Sequence, residues 1–298
     1  MLKFQAQLIT HLLIFTSLSL QANELKVASW NMEWLTVNPD NKIYEGKRTP
    51  DDFVALSGYF KKLNADVIGL QELDSVAAFK RISASQYNIV LSDRSKPQFS
   101  ANQYATTNQY TGFAIHQSVP FSDPQDVDFY RQPSHKLRFA AYVILYPESD
   151  TPIHLLSVHL KAGCMTKFNS NKTECQKLLI QGNNLNQWIK EREQQNQKYV
   201  IMGDFNHNLS YSGDWLWEVF TRDLRTPPKL ATKTTEPLCK VRKRNNAKYL
   251  HQFRSLIDHI IVSSGLYDSD AVQTVFDERD VLTYHLSDHC PVSTQLSW

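Results

Sequence analysis

Ser287-Asp288-His289-Cys290-Pro291, read together with Gly203-Asp204-Phe205-Asn206, decides the reading of this chain. In each stretch acidic, amide or imidazole groups stand beside an apolar run. Tyr199–Met202 precedes the second stretch and Val292–Leu296 follows the first. Short runs of this kind, bounded by polar residues, predict buried strands. Strand ends are where a rigid scaffold presents polar groups to a substrate. Two such ends, with more elsewhere, predict one site assembled from distant parts of the chain.

Working outward, the same strand signal recurs at Leu25–Trp30, Val67–Leu70, Asn88–Leu91, Gly112–Ile115, Phe139–Leu145, His154–His159 and Ile257–Val262. Thr49-Pro50-Asp51-Asp52 reads as a helix start, with Thr as cap, Pro at the first position and acids in the first turn. Phe53, Leu56, Phe60 and Leu63 then follow at helical spacing. A longer helix is predicted from Glu174 to about Gln194, with Leu178, Leu185, Trp188 and Ile189 on one face. A short one is predicted from Asp214 to Phe220. Many strands, few helices and long loops predict two sheets packed face to face, with helices on their outer faces. No Pro/Gly/Ser-rich linker interrupts the chain, so one domain is expected from about residue 25 to 298. Two long polar loops, 92–110 and 222–254, are candidates for function or mobility.

The first 22 residues differ from the rest. Lys3, an apolar stretch from about Leu8 to Leu20 and then Gln21-Ala22 have the layout of a secretory signal peptide. Cleavage is expected after Ala22, giving a secreted or periplasmic protein with no stable membrane insertion. The net charge of +2 includes Lys3, so overall charge does not specify a polyanionic partner. Four cysteines remain: Cys164, Cys175, Cys239 and Cys290. An even number in an exported chain favours disulfides. Three pairings are possible. Proximity across a polar loop pairs Cys164 with Cys175, which leaves Cys239 with Cys290. No C-x-x-C spacing supports a zinc site.

The polar strand ends form a chemical set. Asn31 follows Ser29-Trp30, and Glu72 follows Gly69-Leu70-Gln71. His159 closes Ser157-Val158-His159, and Asp204 and Asn206 close the Tyr199–Met202 run. Asp258 opens Ile257-Asp258-His259-Ile260, and Asp288-His289 precede the last strand. Asn31, Glu72 and Asp288 offer hard oxygens suited to Mg²⁺, Mn²⁺ or Ca²⁺. His159 and His289 can move protons near neutral pH. Asp258 can orient His289, Asp204 can position a water, and the Asn206 amide can donate to a phosphoryl oxygen. These are the parts needed to hydrolyse a phosphate ester.

In this order the six motifs resemble the endonuclease/exonuclease/phosphatase superfamily, whose fold is deoxyribonuclease I-like. The likeness spans Trp30 to Pro291. It implies a four-layer α/β sandwich, two packed and mainly antiparallel sheets flanked by helices, with the site at the edge between the sheets. It implies that Asn31 and Glu72 are metal ligands, joined or supported by Asp288. Asp204 and Asn206 would hold the nucleophilic water and the scissile phosphate. His289, paired with Asp258, would be the general base or phosphate-stabilising imidazole. His159 would contact the phosphate and protonate the leaving oxygen, and Arg138 occupies a place where several members put a phosphate-contacting arginine. The chain departs from the pattern at Asn108–Gly112, where deoxyribonuclease I-like members carry a Glu that orients the first histidine. The run Ser157–Cys164, with Cys175 downstream, resembles exported bacterial members.

Substrate is addressed by local charge. Lys240, Arg242, Lys243, Arg244 and Lys248 could track a nucleic-acid backbone. The expectation is an exported Mg²⁺-dependent phosphodiesterase, a monomer, acting on DNA as an endonuclease. A sphingomyelinase-like enzyme would instead need an exposed apolar segment, for which Asp214–Phe220 is the candidate. Helical spacing there puts Trp215, Leu216, Val219 and Phe220 on one buried face and leaves Trp217 over. A non-catalytic polyanion-binding module would have no need of the complete set of metal, base and amide groups.

Overall fold

The computed structural model describes residues 23–243 and 246–298. The expected signal peptide and Arg244 lie outside these residues. In chain order the elements are β1 (Glu24–Leu35), α1 (Pro50–Leu63), β2 (Val67–Leu73), α2 (Val76–Lys80), β3 (Tyr87–Leu91), β4 (Tyr110–His116), β5 (Phe121–Ser122), β6 (Ala141–Leu145), β7 (Ile153–His159), α3 (Thr173–Gln194), β8 (Lys198–Asp204), α4 (Trp215–Thr221), β9 (Lys229–Leu230), β10 (Lys240–Lys243), β11 (Asn246–Gln252), β12 (Asp258–Val262), β13 (Tyr267–Asp268), β14 (Val272–Gln273), α5 (Glu278–Thr283) and β15 (Val292–Ser297). Every strand run expected from the sequence contains a strand.

Two mixed sheets result. The first has the order β13-β15-β1-β2-β4-β3, with β14 also on β15, and the second has the order β5-β6-β7-β8-β12-β9. Within them β1 lies parallel to β2 and β7 parallel to β8, and the other pairings are antiparallel. Parallel neighbours need a crossover, and α1 and α3 supply the two. Strand alternation then builds the layers. Val27, Val67, Phe113, Val143, Leu155, Val200, Ile260 and Val292 face inward between the sheets. Trp30 and Leu70 face the other way, against Phe53, Leu56, Phe60 and Leu63 of α1. On the second sheet Leu156 and Ile201 meet Leu178, Leu185, Trp188 and Ile189 of α3. Each such fully buried side chain contributes ~1.5–3 kcal/mol. The result is the expected four-layer sandwich.

Local signals explain the element ends. Thr49 Oγ1 accepts from the Asp52 amide at 3.3 Å, and the Asp52 carboxylate accepts from the Thr49 amide at 2.7 Å. This capping box is worth ~1 kcal/mol. Gly203 has φ +150°, and a Cβ there would lie 2.0 Å from the Val158 carbonyl oxygen. Only glycine lets β8 run this close to β7 just before Asp204.

Two expectations change, and one about α4 holds. The stretch 222–254 contains β9 and the β10–β11 hairpin, paired from Lys240↔Gln252 to Lys243↔Asn246, rather than a continuous loop. Loop 92–110 contains 3-10 turns at Asp93–Ser95 and Pro97–Asn102, held by the buried Arg94 guanidinium, which donates to the Asn102 and Gln109 carbonyls. Helix α4 buries Leu216 and Phe220, and Trp215 and Trp217 pack half-buried against the same core. Leu216 and Phe220 are therefore turned to the core as their spacing predicted, while Trp215, Trp217 and Val219 stay half-buried and Glu218 exposed. Both disulfides form as paired, Cys164–Cys175 and Cys239–Cys290. No described helix is long and apolar enough to cross a membrane.

Candidate active site

The two parallel strand pairs point their carboxyl ends at one edge of the sandwich. Asn31 lies on β1 beside Gln71 of β2, and His159 ends β7 beside Asp204 of β8. Antiparallel β12 starts where β8 stops, with Asp258 opposite Asp204. Residues 287–289 approach from the start of β15, where Val292 pairs with Ser29. The topology thus gathers every motif at one edge, which is where open α/β sheets bind ligands.

Asp204 is the hub. Its Oδ2 accepts from Asn31 Nδ2 at 3.0 Å and Asn206 Nδ2 at 3.2 Å, and His159 Nε2 stands 3.4 Å away. Its Oδ1 accepts from the Asn206 amide at 2.7 Å. Burial pushes the Asp204 carboxyl up to about 7, against the pull of His289. Glu72 sits next to this group. Its Oε1 accepts from Asn31 Nδ2 at 3.3 Å and its Oε2 from the Trp34 amide at 3.1 Å. Burial raises the Glu72 pKa as well, with Arg138 and His289 opposing. Asn31 Oδ1 accepts from the Glu33 amide at 3.0 Å and keeps a second lone pair.

The two histidines behave differently. His289 Nδ1 is 2.7 Å from Asp258 Oδ2, which leaves Nε2 facing the site, 3.7 Å from Asp288 Oδ1. Burial opposes charge on this ring, but Asp258, Asp288 and Asp204 outweigh it and hold its pKa well above the ordinary value. His159 is held well below the ordinary value, by burial first and then by Arg138 and His289. Its Nδ1 is buried with no partner, and its Nε2 lies 3.7 Å from Glu72. The missing orienting Glu is therefore not replaced on Nδ1; Asp204 and Glu72 face the opposite nitrogen. Arg138 is half-buried, and Glu72 and Asp204 are the anions that support its charge.

Several contributors carried no sequence signal. Glu33 and Trp34 have φ of 45° and 54°, Glu72 has 61° and Asn206 has 52°. All four are non-glycine residues in the left-handed region, at a cost of ~1 kcal/mol or more each. Register shifts after Asn31 on β1 and after Leu70 on β2 bracket the first three. Bulges of this kind re-aim side chains, here Glu33 and Glu72, toward the edge. The Glu33 carboxylate accepts from the Asp288 amide at 3.0 Å, and burial with the neighbouring Asp288 charge pushes its pKa up to about 8. Ser287 Oγ donates to the Asn31 carbonyl at 2.7 Å and accepts from the His289 amide at 3.0 Å. Trp30 Nε1 donates to the His289 carbonyl at 3.2 Å. Thus β1 fixes the Asp288-His289 backbone.

Arg48 is the other hidden element. Its guanidinium is fully buried and donates to the Met32, Glu33 and Leu286 carbonyls at 3.0, 2.9 and 2.7 Å, and to His285 at 3.2 Å. It stitches the bulge of β1 to the chain leading into Asp288. Replacing it with methionine strands buried carbonyls and leaves Glu33 without its cation. The expected result is a stability loss of ~3 kcal/mol by urea unfolding. An Arg48→Met protein with wild-type stability would remove Arg48 from this role.

The basic segment is engaged differently from expectation. Lys240 pairs with Glu278 of α5 at 2.5 Å, and Arg242 donates to the Val281 carbonyl at 2.5 Å. Both anchor the hairpin to α5. Lys243 is exposed, and Arg242 and Lys243 line a small cavity shared with Glu33 and Asp288.

The comparisons with known proteins agree with this fold. No curated protein matches the chain. Among solved structures, truncated TDP2 from Caenorhabditis elegans superimposes with a TM-score of 0.62 at 17% identity, over 92% of this chain and 98% of that one. An endonuclease/exonuclease/phosphatase from Bacteroides vulgatus gives 0.63 at 15%, over 92% and 98%. A mannosyl-6-phosphatase from Bacteroides thetaiotaomicron gives 0.59 at 13%, over 92% and 100%. At these identities the likeness shows the fold. The profile of the Endonuclease/Exonuclease/phosphatase family matches residues 28–289, from β1 to His289, and the chain belongs to that family.

Proposed function

We propose that this protein is an exported, divalent-metal-dependent phosphodiesterase acting on nucleic acid, as a DNA endonuclease. The family consists of phosphoric ester hydrolases that are generally dependent on a divalent metal. The observation that carries the reading is the convergence of Asp204, Asn31, Glu72, His159, Asn206 and the Asp258–His289 pair at one sheet edge. The two disulfides support an oxidising compartment.

A hard cation fits the donor set. Among the described residues no three His, Cys, Asp or Glu side chains are already grouped around a metal position. Glu72, the free lone pair of Asn31 Oδ1 and Asp288 nevertheless offer only oxygens, and Glu33, Glu72 and Asp204 are carboxyls with raised pKa. Excess buried negative charge facing oxygen donors suits Mg²⁺ or Mn²⁺. The ion would be held by Glu72, Asn31 and Asp288, and would supply charge stabilisation at a phosphoryl oxygen. The Asp204 carboxyl orients the attacking water. Asn206, held by Asp204 and the Leu160 carbonyl, positions a phosphate oxygen. Asp258 fixes the His289 ring so that Nε2 can hold or move a proton at the phosphate. Arg138 and the neutral His159 ring add donors on the opposite side.

The test is turnover by purified, disulfide-bonded protein in Mg²⁺, with and without chelator. Supercoiled plasmid, single-stranded DNA, RNA, sphingomyelin vesicles and a phosphomonoester are the substrates. Chelator-sensitive cleavage of DNA, as plasmid or as single strand, is expected. Cleavage of the monoester or of sphingomyelin alone would refute the nuclease assignment.

A further inference from the structure

A second feature opens on the same edge. A groove of about 1030 Å³ runs from Arg138 along the face carrying loop 92–110, at the upper end of ligand-site sizes. Its lining includes six Lys or Arg side chains and one acid, Asp40. Arg138 lines it, and the buried Arg138 Nε has no partner, while its Nη2 donates to the Leu160 carbonyl at 3.4 Å. Among the described residues, Arg138, Lys42, Lys161 and Lys177 form no ion pair, although surface lysines elsewhere do, as in Lys229–Asp268 and Lys240–Glu278. The Lys161 pKa is lowered by burial and by Arg138, Lys177 and Lys172, with Glu174 alone opposing them. The groove therefore holds more positive charge than the protein neutralises.

The groove also carries a fixed aromatic rim. Tyr104 is 56% exposed. Its backbone is clamped by Asn108, which accepts from the Tyr104 amide and donates to the Tyr104 carbonyl, both at 2.9 Å. Lys136 Nζ donates to the Ala101 and Gln103 carbonyls at 2.8 and 2.7 Å and holds the same turn. A phenol ring presented over a cationic floor, on a turn tied down from both sides, is a stacking platform. Trp34 lies at the groove where it meets β1, in the left-handed backbone conformation described above.

We propose that this groove binds an unpaired nucleic-acid strand, taking a few nucleotides to one side of the scissile phosphate, with backbone phosphates on Arg138, Lys161, Lys177 and Lys42 and a base stacked on Tyr104. This rests on the phosphodiesterase reading and names its substrate form. Cations tracking a backbone together with an aromatic platform are the recognition chemistry of single strands. A paired base offers no free face to Tyr104. The β10–β11 hairpin is a weaker candidate for this role, because Lys240 and Arg242 are committed to α5.

Binding is read by fluorescence anisotropy of a labelled deoxythymidine oligonucleotide in chelator, where nothing is hydrolysed, across a salt series. The triple substitution Lys42→Gln, Lys161→Gln, Lys177→Gln is expected to raise Kd at least ~10-fold at low salt and to flatten the log–log salt slope by about 2, or ~0.7 per lost phosphate contact. Tyr104→Ala is expected to raise Kd by ~10-fold. Lys42 and Tyr104 are exposed and Lys161 and Lys177 half-buried, none of them in the core, and each variant is taken forward only with a wild-type melting temperature. No binding by the wild-type protein, an unchanged Kd and slope in the triple variant, loss only in Lys240→Gln/Lys243→Gln, or tighter binding of a duplex would each overturn the proposal. Turnover of the same oligonucleotide in Mg²⁺ is scored separately. Binding without turnover refutes the phosphodiesterase reading and leaves the groove standing. Turnover with a groove variant that binds normally refutes the groove alone.

Discussion

His289→Ala is expected to lower kcat for phosphodiester hydrolysis by ~10³-fold, within the 10²–10⁴ range of a positioned proton-transfer group. The ring is the one imidazole at the site whose charged form is favoured, because Asp258, Asp288 and Asp204 surround it. It also meets Asp258 at 2.7 Å, the geometry that fixes one nitrogen and frees the other. Asp258→Asn keeps shape but removes the charge that holds the imidazolium, and a smaller loss of ~10–100-fold is expected. Because the two act as a pair, the double variant should be little worse than His289→Ala alone. The loss belongs in kcat rather than KM; the ring is only 14% exposed and its removal leaves the buried Asp258 without its cation, so a stability loss of ~1–3 kcal/mol accompanies it and kcat is read well below the melting temperature. Retention of activity within ~3-fold in His289→Ala would place the proton transfer elsewhere.

The second large effect concerns stability. Removing the Cys239–Cys290 bond, with both cysteines replaced by serine, is expected to cost ~2–4 kcal/mol, and removing Cys164–Cys175 less. Loop closure sets the order, since the bonds span 51 and 11 residues and the chain-entropy ceilings are about 4 and about 3 kcal/mol. The longer bond also joins the residue before β10 to the residue after His289. Its loss should raise KM and expose 240–252 to protease while the shorter bond's loss does neither. Urea unfolding with oxidised wild type as reference, together with limited proteolysis, reads both. Unchanged KM and unchanged protease sensitivity would confine this disulfide to a purely structural role.

The residues show why some features were readable in advance. Asn31, Glu72, His159, Asp204, Asn206, Asp258 and His289 each stand at the end of an apolar run, so strand pattern and polar punctuation mark them together. Thr49 and Asp52 announce α1 by local hydrogen-bonding chemistry, and the structure shows that capping box. The cysteine pairing follows from proximity and an even count. Arg48, Glu33 and Ser287 have no such marker. A buried arginine looks like a surface arginine in a sequence, and its burial exists only because residues 32–34 and 285–286 converge on it. The β10–β11 hairpin was hidden for a related reason: its charged strands lack the apolar alternation that signals a strand.

What the sequence determined by itself is nine of the strands with α1, α3 and α4, the class of two packed sheets with outer helices, the two cross-links and the chemical types at the site, because these are marked by local pattern, punctuation and cysteine count. Only the tertiary structure decided how those groups face one another. It set Asp204 as the hub, put the His159 Nδ1 face without a partner, turned Lys240 and Arg242 toward α5, and left Lys42, Lys161 and Lys177 unpaired in a groove. Those outcomes depend on two parallel strand pairs ending at one edge and on bulges that turn Glu33 and Glu72 into it. Both are set by pairing register between distant strands, which no local stretch of residues specifies.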